Sequence, residues 1–292
     1  MVCGQWPLDT YFYFMTEHKS LFQYISWLSI DVVFGALAGL LFFSKLFRVD
    51  VEPAIYLLLG SAVWCIYTLD HILDAKSGVA PLLDRYAFHQ KNRAILTGCV
   101  LVAAILGLGL AFFTFGLGKE LFWSVSLGGL ILATMFLIRK AGKSAGLLKE
   151  ISTGVFYVLG IAWIPLLRID SMDLSYVLAA LLLGYSLLAV INLLMLAVLD
   201  AKEDQIQGFP SAVHVFSLVK LVEVIRKLTF LLIFASLSGF IFLNSVYRPF
   251  ACIMLLMALV HYLTFFQADL SSEQKRMRTE ASFMLPGLLL FL

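Results

Sequence analysis

The chain has 292 residues, of which 61% are hydrophobic and only 14% charged, with a formal net charge of +2. Soluble domains carry about 25% charged residues, so this composition excludes a soluble globular protein and predicts an integral membrane protein. A charge so close to neutral gives no support to nucleic acid as a partner. The four cysteines, Cys3, Cys65, Cys99 and Cys252, are scattered, a placement that suits small core residues better than disulfides or metal ligands.

Residues 1–19 are mixed polar and aromatic, without the basic-then-apolar order of a cleavable signal peptide. Apolar runs then fall at roughly 22–44, 54–74, 94–116, 120–138, 148–167, 174–199, 228–245 and 249–268, with a shorter run at 279–292. A bilayer core of about 30 Å needs about 20 apolar residues per helix, so eight crossings are expected and the ninth run is short for one. No β-type alternation is present, and the runs are predicted helical because a helix satisfies its backbone internally. With the N-terminus placed in the cytoplasm, most Lys and Arg residues fall in cytoplasmic segments, which fixes the expected orientation. Between Phe209-Pro210 and the seventh run, residues 214–227 interleave Val215, Leu218, Val219, Val222 and Ile225 with Lys220, Glu223, Arg226 and Lys227. That pattern predicts a helix lying on the membrane surface.

Two acidic pairs stand out. Asp70 and Asp74 end the second run, and Asp200 and Asp204 follow the sixth, each at i,i+4 spacing. Carboxylates so spaced stack on one helix face and repel unless something positive lies between them. Mg²⁺ is the expected remedy, since it takes carboxylate oxygens and keeps positions open for phosphate. A single pair reads equally well as a solvated helix end; two matching pairs at the same side of a membrane favour a site.

Basic residues gather beside the pairs. Arg85 and His89 lie in the polar stretch after Asp74, Lys149 at the mouth of the fifth run, and Lys202 between the two later aspartates. Arginine holds phosphate through a bidentate fork, so these residues suit capture of a diphosphate, although topology signals would look the same. Asn192 lies two turns before Asp200, and either points toward the site or bonds between helices. Asp31, near the start of the first run, is an intramembrane acid, and His261 reads as a core histidine. Trp64, Tyr67, Phe156, Tyr157, Trp163 and Tyr185 offer ring faces to a cation, or ordinary packing.

These features resemble the UbiA superfamily of intramembrane prenyltransferases. Asp200-x-x-x-Asp204-x-x-x-Gly208 is similar to that family's second aspartate-rich motif, and Tyr67-x-x-Asp70-x-x-x-Asp74 to the later part of its first. Arg85 and Leu148-Lys149 stand where the family places its diphosphate-facing basic residues. The sequence departs where the family's Asn-Asp opening reads Ile66-Tyr67, where a usual Glu is Lys202, and where an earlier acid is Ala197. The resemblance implies an all-α integral membrane protein of eight to nine helices, a single domain over 1–292. Two four-helix halves, roughly 21–138 and 148–268, would surround a central cavity, with a final helix at 279–292. It further implies an enzyme that ionises an allylic prenyl diphosphate on the cytoplasmic side. Asp70, Asp74, Asp200 and Asp204 would hold Mg²⁺; Arg85, Lys149, Lys202, His89 and Asn192 would bind substrate; Tyr67 would cover the site. Transfer to an aromatic or quinone-like acceptor is the first expectation and cyclisation without an acceptor the second. An ion transporter or a non-catalytic isoprenoid binder remain open alternatives.

Overall fold

A computed structural model of the chain describes residues 21–74, 84–169, 175–208 and 210–291. Twelve α-helices are seen among them: α1 (Leu21–Trp27), α2 (Ile30–Phe47), α3 (Pro53–Asp74), α4 (Asp84–Lys91), α5 (Arg93–Phe115), α6 (Lys119–Ala141), α7 (Gly146–Arg168), α8 (Tyr176–Leu199), α9 (Ala201–Gln207), α10 (Leu218–Phe242), α11 (Arg248–Phe266) and α12 (Ser272–Ser282). No strand occurs among the described residues. Seven helical stretches are long and apolar enough to cross a membrane, and one of these, Lys119–Arg168, comprises both α6 and α7. At 1.5 Å per residue, helices of this length reach roughly 27–38 Å.

The 50-residue stretch is a hairpin. A 3-10 turn at Gly142–Ala145 separates α6 from α7. At the opposite end, Arg168 Nε donates to Glu120 Oε1 at 2.8 Å, which joins the end of α7 to the start of α6. The same guanidinium reaches Glu52 at 2.6 Å, just before α3. Arg139, near the end of α6, meets Asp70 and Asp74 at the end of α3. Helices α3 and α6 therefore run parallel, with α7 antiparallel to both. A ladder of charges pins them at each end.

Burial divides the helices into two kinds. Phe42, Phe43, Ile161, Tyr185, Leu188, Met195 and Met257, from α2, α7, α8 and α11, are fully enclosed. Phe42 meets Tyr185 and Phe250 with ring centroids 5.2 and 5.1 Å apart, an arrangement worth more than its buried area. Helices α5 and α6 instead bury one residue each, Leu96 and Ile138, although both are apolar all round. Such surfaces suit lipid.

Three sequence expectations need correcting. The first run is divided, because Ser29 takes a left-handed conformation (φ 55°) that turns α1 away from α2. Of the surface helix expected over 214–227, residues 218–227 are the opening of α10, which continues unbroken from Leu218 to Phe242, while His214 ends a 3-10 turn at Ala212–His214. Its polar residues lie at the helix start rather than on a separate element. The described part of the run expected over 279–292 does not form one membrane-length helix: α12 ends at Ser282, and Leu285–Phe291 is a 3-10 helix. At about 2 Å per residue, seven residues span roughly half a bilayer core.

Candidate functional site: a charged mouth on an apolar cavity

A cavity of about 740 Å³ is lined mainly by α3, α5, α6 and α7. Its wall over most of its length is Leu, Ile, Val, Ala and Gly. One end is different. There the lining includes Asp70 and Asp74 from α3, Arg85 from α4, Arg139 from α6, Lys149 and Glu150 from α7, Asp200 and Asp204 after α8, and Arg276 and Glu280 from α12. Six carboxylates and four cations thus meet at the mouth of a cavity that is otherwise apolar.

The local structure behind this is simple. Asp70 and Asp74 occupy the last turns of α3, one above the other. Arg139 bridges them, Nη2 lying 2.6 Å from Asp70 Oδ1 and 2.8 Å from Asp74 Oδ1. The positive charge that the i,i+4 spacing demands is therefore a guanidinium. In the later pair, the amide of Asp204 donates to the carbonyl of Asp200 at 2.9 Å, so the helical register carries across the break between α8 and α9. Gly208 then ends α9 in a left-handed conformation (φ 72°), which glycine adopts without steric cost. Asp200 Oδ2 accepts from Arg85 at 3.1 Å and also from Arg276. Lys149 lies in the field of Asp70, Asp74 and Asp204, between the two pairs.

Burial sets the proton affinities at this mouth. It pushes Asp200 upward, but Arg276 and Arg85 more than offset that and hold the carboxyl below its usual range. Among the described residues Asp204 has no Lys or Arg within ion-pair distance, and burial pushes it up to about 6. Glu280 is pushed up to about 7 by burial, despite Arg276 at 3.4 Å. A raised carboxyl is what desolvation produces when no cation fully compensates it.

The oxygen chemistry suits Mg²⁺, with a condition. Arginines engage one oxygen of Asp70, Asp74 and Asp200 and neither oxygen of Asp204, which leaves hard oxygen donors facing the cavity. Yet among the described residues no three acidic, histidine or cysteine side chains gather closely enough to hold a metal by themselves. A cation here would complete its shell with oxygens of a ligand, as Mg²⁺ does with phosphates.

The structure sorts the other sequence candidates. Tyr67, Phe156, Tyr157 and Trp163 line the cavity, whereas Trp64 and Tyr185 do not; Tyr185 belongs to the aromatic core. Lys202 is exposed on α9 and outside the lining, so it is removed from the set. His89 is buried behind the wall, its ring tilted against that of His71 with centroids 4.8 Å apart, and its Nδ1 contacts the carbonyl of Arg85 at 2.9 Å. It supports the helix that carries Arg85 and does not line the cavity. Asp31 is buried in the first turn of α2, where its Oδ1 accepts from the amide of Val32. Lys76, a basic residue in the polar stretch directly after Asp74, lies outside the described residues.

Asn192 also misses the main cavity. Its Oδ1 lies 3.2 Å from Nε2 of His261, whose Nδ1 contacts the carbonyl of Met257 at 2.8 Å and Ser282 at 3.3 Å. The residue borders a separate void of about 40 Å³, room enough for a water. This polar knot ties α8 and α11 to the end of α12. Asn192→Leu should cost about 1–2 kcal/mol, because His261 would keep a buried nitrogen without a partner. A melting curve of the purified variant would test this, and an unchanged midpoint would contradict the assignment.

Arg139, Arg276 and Glu280 complete the mouth, and none of the three stands out in the sequence. Arg139 has the look of a topology signal at the end of a span. Arg276 falls in a polar stretch between apolar runs, although Ser271-Ser-Glu-Gln274 carries the pattern of a helix-starting capping box. The structure forms that box. It is the one local sign that a helix, and hence an ordered arginine, begins there.

In comparison with known proteins, no family model, no curated protein and no solved structure matches the chain.

Proposed function

We propose that the protein is an intramembrane enzyme that ionises an allylic prenyl diphosphate, with eight crossings and the charged mouth on the cytoplasmic side. The observation that carries this reading is the placement of Arg85, Arg139, Lys149 and Arg276 with both aspartate pairs at one end of a single apolar cavity. An amphiphile with a polyanionic head and a long apolar tail matches both parts. The resemblance of the two aspartate motifs to the UbiA superfamily supports the prenyl chemistry in particular.

In this reading the four aspartates would hold Mg²⁺, which would supply charge stabilisation to the departing diphosphate. Arg85, Lys149, Arg139 and Arg276 orient the head group and stabilise the negative charge that grows on it. The allylic C–O bond breaks and its electron pair leaves with diphosphate. Tyr67, Phe156, Tyr157 and Trp163 present ring faces to the cation left behind. Those four aromatics also favour a second reading, in which the cation closes on its own double bonds without an acceptor.

The test is pyrophosphate release from C10, C15 and C20 allylic diphosphates by purified protein, with Mg²⁺ and then with EDTA. Wild type should release pyrophosphate only with metal, and Asp70→Ala and Asp204→Ala should each lower the rate by at least about 100-fold, the scale on which lost transition-state charge stabilisation is felt. A cyclic hydrocarbon formed without acceptor selects the second reading; release that needs a quinone-like or phenolic acceptor selects transfer. No release from any donor, with or without acceptor, rejects the enzyme in favour of lipid binding or transport.

A further inference from the structure

We infer that Gly128 and Gly160 are specificity-determining residues that keep the cavity open just beyond the third isoprene unit, so that the site takes a C20 tail. The inference rests on the prenyl diphosphate reading above and deepens it.

Glycine is among the poorest residues for a helix interior. Membrane helices tolerate it mainly because it lets two backbones approach closely, and several glycines here behave so. A methyl group placed on Gly154 would come within 2.8 Å of Val190, and one on Gly39 within 2.6 Å of Ile161. Gly128 of α6 and Gly160 of α7 do the opposite. A methyl group on either would meet nothing within 4 Å, and both residues line the cavity. No neighbouring helix requires their small size. What their smallness preserves is empty space.

Their level in the bundle is fixed by the hairpin. Gly128 follows Glu120 by eight residues and Gly160 precedes Arg168 by eight, and these two ends bond to each other. The glycines therefore lie at one height on antiparallel neighbours. Each is eleven residues from the charged mouth, counted from Arg139 and from Lys149, or about 16 Å at 1.5 Å per residue. An extended chain covers ~3.5 Å per three-bond residue, so a four-bond isoprene unit covers roughly 5 Å. Three units fill the cavity from the mouth to the glycines, and a fourth must pass between them. Below them the lining continues to Leu121 and Ile164, roughly 22–27 Å from the mouth by the same rise. That leaves room for a fourth unit above the floor.

A leucine at either position adds four carbons, nearly one isoprene unit, to the space the tail would use. Gly109 provides the control: it too has nothing within 4 Å, yet it lies outside the cavity lining. The experiment is titration calorimetry of unreactive thiolodiphosphate analogues with geranyl (C10), farnesyl (C15) and geranylgeranyl (C20) tails and Mg²⁺, using wild type, Gly128→Leu, Gly160→Leu, Gly128→Ala and Gly109→Leu in lipid nanodiscs. Wild type should bind the C20 ligand at least as tightly as the C10 ligand. Both cavity leucines should weaken C20 binding at least tenfold while leaving C10 within threefold, Gly128→Ala should lie between, and Gly109→Leu should match wild type. Equal loss for C10 and C20, or no loss for either, would overturn the inference while leaving the diphosphate site intact. Failure of wild type to bind any of the three would overturn the diphosphate reading, and this inference with it.

Discussion

Arg139→Met should cost about 3 kcal/mol of stability, the low end of the loss caused by removing one partner of a buried ion pair, and should abolish pyrophosphate release. The guanidinium is the bridge between Asp70 and Asp74, at 2.6 and 2.8 Å. Without it two stacked carboxylates face each other at the end of α3, and Asp74 is almost fully enclosed. The low end applies because Arg139 and Asp70 keep 28% and 31% of their side-chain surface exposed, which admits some solvent screening. The double variant Arg139→Met/Asp74→Asn should regain most of the lost stability, since one buried charge of the pair is then gone. On the diphosphate reading it should regain no activity, because a proposed metal ligand and a cation for the head group are then both missing. Denaturation midpoints and pyrophosphate release, measured on the same preparations, separate the two effects. If the double variant is as unstable as the single one, the bridge is not what Arg139 contributes.

This bridge also marks where the sequence stops being informative. The aspartate pairs could be read because their chemistry is local: two acids at i,i+4 after an apolar run must share a helix face, and both pairs do. The spans could be read because bilayer thickness dictates apolar length, and α3, α5, α6, α7, α8 and α11 lie within a few residues of expectation. Arg85, which bonds Asp200, could be read too, but the other arginines serving the pairs are a different matter. Arg139 reaches Asp70 across 69 residues and Arg276 reaches Asp200 across 76. Nothing local distinguishes these arginines from positive-inside signals, which have the same composition and the same place at helix ends. Lys202 misled for the converse reason: it is close to both aspartates in sequence, but helical geometry turns it outward. Asn192 and His89 lie near the mouth in sequence, yet each is occupied by a buried histidine contact.

The pH dependence should separate two carboxyls of the mouth that burial raises, Asp204 and Glu280. In the folded protein Asp204 is raised from 3.8 to about 6 and Glu280 from 4.5 to about 7. Both bind a proton more tightly when folded than when unfolded. Stability is therefore greatest near about pH 4–5 and declines as the pH rises through the folded values, the folded state holding more protons across that interval. At 1.36 kcal/mol per unit, each group accounts for at most about 3 kcal/mol of decline between about pH 4 and 8. Glu280→Gln should remove its share, so that the fall between about pH 5 and 7 becomes shallower while the part below about pH 6, to which Asp204 contributes, stays. Mg²⁺ with an unreactive diphosphate analogue should restore stability most at about pH 8, where Asp204 is ionised and free to take the cation. The rate of pyrophosphate release should run the other way, rising through about pH 6 as Asp204 loses its proton, and Glu280→Gln should leave that midpoint in place. Midpoints of unfolding and initial rates from about pH 4 to 8 measure both trends. A flat stability profile would contradict the burial of these carboxyls, and a rate midpoint that moved with Glu280→Gln would assign the catalytic titration to the wrong residue.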